Sequence, residues 1–134
     1  MVLTPNFNKK EFASRDGAGM PESVWANIKV LAAQLETLRN HLKKPINITS
    51  GYRSINYNQV CKGVKGRQHT LGKASDIQIK GMKPKKVYEA IEKLIEKGLM
   101  VEGGLGLYDT FVHYDIRGTQ ARWDKTTKNE QEAI

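Results

Sequence analysis

The stretch GRQHTLGKASDIQIKG, residues 66–81, decides how the rest of the chain is read. Its second half, KASDIQI (73–79), alternates polar and apolar residues. As a strand it places Asp76 and Gln78 on one face and Ile77 and Ile79 on the other. Its first half sets His69 seven positions ahead of Asp76, with Gly72 and Ala74 between them. That spacing is awkward within one helix or one strand, and it suits a loop that folds back over the strand it feeds. Small residues at Gly72 and Ala74 let the backbone pass close to whatever the two side chains share.

Working outward, FVHYDIR (111–117) repeats the alternation. Phe111, His113, Asp115 and Arg117 share one face, and Val112, Tyr114 and Ile116 form the apolar one. INITSG (46–51) and GGLGLY (103–108) read as two further strands. Upstream, Val24, Ile28, Leu31, Leu35, Leu38 and Leu42 recur at steps of four and three, which predicts a helix from near Pro21 to around Lys43. Pro21 and Glu22 suit its first turn, and Arg39, His41, Lys43 and Lys44 suit the negative end of its dipole. A second helix is bracketed by Pro84 and Gly98, with Val87, Ile91, Leu94 and Ile95 inward and Glu89 paired to Lys93 on the surface. The order of elements predicts an α+β domain, with helices packed on a small antiparallel or mixed sheet. Residues 1–124 form that single domain, and KTTKNEQEAI (125–134), which lacks an apolar period, is expected to be a frayed tail.

The chain has 134 residues, enough for one core. Its 22 Lys and Arg outweigh 14 Asp and Glu, and the net charge of +8 favours a polyanionic partner: nucleic acid, an anionic membrane surface or an acidic wall polymer. Tyr52, Tyr57 and Trp123 are not interleaved with cations and no nucleic-acid motif is present, so no nucleic-acid partner is expected. Cys61 is the single cysteine, which excludes an internal disulfide and a Cys-x-x-Cys site. No apolar run reaches transmembrane length, and MVLTPNFNKKEF lacks the apolar core of a signal peptide; neither membrane insertion nor export by a leader is expected.

Zinc takes imidazole and carboxylate ligands, and a catalytic site uses three of them with a fourth position open. His69, Asp76 and His113 supply such a set. Lone histidines are more often surface or core residues than ligands, so spacing alone leaves both readings open. His41, at a helix end among cations, reads as a dipole partner.

Four ordered pieces carry a resemblance: NFNKKEFASRDG, LETLRNHLKKPINITSGYRS, HTLGKASDI and GGLGLYDTFVHYDIRGTQARW, spanning Asn6 to Trp123. Together they resemble the zinc D-alanyl-D-alanine carboxypeptidase family, in its small peptidoglycan-hydrolase branch of phage and bacterial proteins. The resemblance implies a hedgehog/D-Ala-D-Ala-peptidase-like fold and one Zn2+ held by His69, Asp76 and His113. It also implies a substrate-facing Arg53 in SGYRS, with Gln68 beside it in substrate binding. The substrate would be the peptide stem of peptidoglycan, cut in carboxypeptidase or endopeptidase fashion by a monomer. Anionic wall polymers would be met by the basic surface. The implied location is the cytoplasm until release, or the virion, with action on the cell wall.

Two departures from the family pattern matter. Arg67 stands where relatives often carry a serine, which leaves open what orients His69. Thr110 stands where the vancomycin-resistance dipeptidase branch carries its general base. The base must then be Asp115, Asp109 or Glu102, and the face shared with His113 favours Asp115. The rival role for Asp115 is to fix the tautomer of a ligand histidine. The missing acid also sustains an alternative, a wall-binding domain that keeps zinc and has lost catalysis.

Overall fold

The computed structural model describes residues 2–60 and 67–127. Cys61 and most of the expected C-terminal tail, from residue 128 on, lie outside the described residues. The chain begins with a short hairpin, β1 (Val2–Thr4) and β2 (Phe7–Asn8), then one helical turn, α1 (Lys9–Phe12). The long helix α2 (Glu22–Leu42) leads into β3 (Asn47–Ser50), followed by short helices α3 (Ile55–Val60) and α4 (Arg67–Thr70). Strand β4 (Ala74–Gln78), helix α5 (Pro84–Glu96) and strands β5 (Gly104–Leu107), β6 (Val112–Asp115) and β7 (Ala121–Asp124) complete the order. The architecture is α+β, as the pattern predicts.

Strands β3 to β7 form one sheet in the order β3-β4-β6-β5-β7. Every neighbouring pair is antiparallel except β5 and β7, which run parallel. Helix α2 buries Val24, Ile28, Leu31, Leu35 and Leu38, the stripe that its period marks out, and Leu42 packs at the margin. It stops at Lys43, whose left-handed backbone (φ 55°) returns its N–H to the Arg39 carbonyl. Helix α5 starts with Pro84 in its first turn and buries Val87, Ile91 and Leu94. Glu89 pairs back to Lys86 at 3.6 Å rather than forward to Lys93. These helices cover one side of the sheet, where Ile77, Leu105, Val112 and Tyr114 are fully buried. Each such side chain stabilises the fold by roughly 1.5–3 kcal/mol.

The polar side of the sheet departs from the simple alternation. Asp76, His113 and Asp115 are as buried as their apolar neighbours, so both faces of β4 and β6 are covered. Lys125, Thr126 and Thr127 are also tied down, since Lys125 N donates to the Leu107 carbonyl and Thr127 bonds Asp109.

Candidate metal centre

His69 reaches the sheet from α4, and its imidazole is 3% exposed. Its Nδ1 lies 2.7 Å from the Gly51 carbonyl oxygen. A carbonyl only accepts, so Nδ1 carries a proton there, and Nε2 is the nitrogen that faces Asp76. That answers what orients His69: a backbone carbonyl does so, while Arg67 is exposed. Gly72, just after α4, has a different use from the one its sequence position invites. With φ +76° and a would-be Cβ 2.7 Å from Val24 Cγ1, its smallness serves the close contact with α2.

Asp76 on β4 and His113 on β6 are directly opposed cross-strand partners. Asp76 Oδ1 lies 3.3 Å from His69 Nε2 and 3.1 Å from His113 Nδ1. One ligand atom from each of the three residues lies within 4.8 Å of the others. His113 Nε2 is 2.7 Å from Asp115 Oδ2. Each imidazole thus has one nitrogen turned to Asp76 and the other held from outside. Two nitrogens and a carboxylate oxygen, pre-aimed in this way, fit a tetrahedral zinc-type ion with one position to spare.

Electrostatics matches this arrangement. Burial opposes the charge on Asp76, but hydrogen bonds from His113 and His69 win and hold it well below the usual carboxylate range. Burial likewise opposes the charged form of His113, yet the carboxylates of Asp115 and Asp76 outweigh it and push its pKa up. In the metal-free protein a proton therefore competes for the nitrogen that a cation would take.

The surroundings of Asp115 favour its rival role, holding the imidazole of His113, over that of base. It is fully buried behind the imidazole, and both oxygens are committed. Oδ1 accepts from Gly104 N, Arg117 N and Arg117 Nε at 2.8, 3.1 and 2.9 Å, and Oδ2 accepts from His113 Nε2 and Arg117 Nη2 at 2.7 Å each. Burial disfavours its charge, and the bonds from His113 and Arg117 overcome that to depress its pKa. A carboxylate so saturated is well placed to hold the ring. Asp109 bonds Thr127, and Glu102 bonds Arg122 and Gly103 N.

Arg53 follows β3 and donates from Nε to Ser50 Oγ at 3.0 Å and from Nη2 to Asp76 Oδ2 at 3.2 Å. Its Nη1 has no protein partner among the described residues, and the side chain is 17% exposed. Gln68 is half-buried next to His69, and its Oε1 lacks a partner among the described residues. The groups that sequence reasoning misses are those whose role comes from packing: the Gly51 carbonyl, Arg117, Gly104 and Trp123. A Cβ on Gly104 would sit 2.2 Å from Asp115 Oδ2, and one on Gly106 would sit 2.2 Å from Trp123 Nε1. The Gly-x-Gly spacing on one strand face was the available signal.

A separate cavity of about 380 Å3 lies under the start of α5, between Ile77, Met82, Val87 and Phe111, and holds none of the three ligands. The chemistry belongs to the buried cluster instead. No match is found among curated proteins. The family model Peptidase M15 matches residues 5–115, a span that contains all three clustered residues and Arg53. A match over most of the length, joined to a buried His-Asp-His cluster of metal-binding geometry, shows that the chain belongs to the M15 family of peptidases.

Proposed function

We propose that the protein is a zinc-dependent peptidoglycan hydrolase, cutting a peptide bond of the stem peptide in the manner of a D-alanyl-D-alanine carboxypeptidase or endopeptidase. The observation that carries this reading is the convergence of His69, Asp76 and His113 within 4.8 Å, each imidazole having its outer nitrogen already engaged. Zinc, when bound, supplies Lewis acidity toward a water and toward the scissile carbonyl. The chain's own residues do the rest. Gly51 and Asp115 hold the rings of His69 and His113 so that Nε2 of the first and Nδ1 of the second would face the ion. Arg53 presents a planar guanidinium whose Nη1, without a partner among the described residues, can hold an acidic substrate end or a developing oxyanion. The candidates for proton acceptor are Asp115, Asp109 and Glu102, and each would first release a present partner: His113 or Arg117, Thr127, and Arg122 respectively. The net charge of +8 suits long-range attraction to anionic wall polymers.

The test is His113→Ala, read by zinc content and by mass spectrometry of muropeptides after digestion. Loss of both is expected; a variant that keeps zinc and full hydrolysis removes the ligand assignment. The commitment of all three carboxylates also favours a second reading, a wall-binding domain without catalysis. Incubation with purified sacculi separates them, since a binder pellets with the wall and releases no new amines.

A further inference from the structure

Trp123 comes from β7, beyond residue 115 where the family match ends. Its ring lies 5.0 Å from that of His113, tilted by 48°, and the Arg117 guanidinium carbon lies 5.6 Å from the same indole. Its Nε1 donates to the Tyr108 hydroxyl at 3.0 Å, and Tyr108 stacks on Phe111 with centroids 4.3 Å apart. Room for the indole exists because Gly106, the cross-strand partner of His113, has no side chain. The indole thus lies across the chain of contacts that joins His113, Asp115 and Arg117.

Hydrogen bonds at Nδ1 and Nε2 fix the direction of the His113 ring in its own plane. They do little against tilting out of that plane. What resists tilting is whatever packs on the ring, here the edge of His69 at 5.2 Å and the indole of Trp123. We propose that Trp123 is a positioning residue of the metal centre, holding the His113 imidazole flat so that its inner nitrogen stays aimed at the bound ion. This rests on the reading of the cluster as a metal site.

The chain has two tryptophans, and Trp25 lies on α2 beside Lys9 and Lys29. Trp25→Phe therefore leaves Trp123 as the single indole. Zinc is titrated into chelator-stripped W25F protein, with Trp123 emission followed and affinity measured separately by competition with a chromophoric chelator. Emission is expected to change saturably, with the same Kd as the competition assay. Trp123→Ala is expected to weaken zinc binding roughly tenfold or more, in the range typical of groups that orient metal ligands. Trp123→Phe, which keeps a flat ring and loses the bond to Tyr108 and the indole's second ring, is expected to restore most of that affinity. Folded W123A with wild-type zinc affinity overturns the proposal, and so does emission that stays flat through zinc saturation. Should W123A fail to fold, the emission titration and W123F decide alone. Wild-type protein that binds no zinc removes the metal reading itself, whereas zinc binding lost in H113A and intact in W123A removes only the role of Trp123.

Discussion

His113 has a carboxylate on each side, and the two carboxylates have opposite consequences for a metal. Asp115 accepts from Nε2, and Asp76 faces Nδ1, the nitrogen with which it would share an ion. Asp115→Asn is expected to keep the fold and lower zinc affinity by roughly ten to a hundredfold, read by chelator competition; unchanged affinity would show that the tautomer is fixed by something else. The same residues set a pH window for the metal-free protein. Asp76 and Asp115 have depressed pKa values, so their contribution is present above about pH 5 and is lost as pH falls through their folded values. His113 has a raised pKa, so its contribution is full below about pH 6 and is lost as pH rises through the folded value. Thermal melts in chelator are therefore expected to peak at mildly acidic pH, and a melting temperature that climbs steadily to pH 8 contradicts this. With zinc present, acid is expected to release the ion instead.

Helices α2 and α5 were legible because their apolar residues follow a helical period and their ends carry Pro84, Lys43 and Gly98 in helix-ending roles. The four strands of the alternating segments were legible for the same kind of reason. Strand β7 was not, since ARWD shows no apolar alternation and earns its place by pairing with β5. The hairpin β1-β2 escaped too, being held by Asn6, whose N and Nδ2 bond the Glu36 carboxylate 30 residues away. Three potential ligands could be named from spacing and resemblance, but the choice between the two roles of Asp115 was not legible, because alternation says which face a residue occupies and not what covers it. Gly106→Ala tests the packing between these strands. Its Cβ would overlap the indole, and a loss of roughly 1–3 kcal/mol is expected by urea denaturation, with a shift in Trp123 emission. Wild-type stability would mean that β7 moves aside freely.

Across the molecule, the metal site lies on the side of the sheet away from α2 and α5, so fold stability and ion binding are linked chiefly through β4 and β6. An ion that binds only the folded state stabilises it by about 2.7 kcal/mol when its free concentration is a hundred times Kd. Zinc is expected to raise the melting temperature of wild-type protein and leave that of H113A unchanged; equal shifts in both would place the ion elsewhere. The charge of +8 acts at longer range. Sedimentation with sacculi is expected to weaken as salt rises and the Debye length falls below about 8 Å, whereas salt-independent sedimentation would exclude attraction of this kind.

The parallel pairing of β5 with β7 has a consequence for synthesis. Since β7 is the last strand among the described residues and docks beside one made earlier, a ribosome must deliver residue 124 before the indole can close over His113. Until β7 has emerged, the cradle formed by β4 and β6 stays unroofed on the side of His113 that the indole covers.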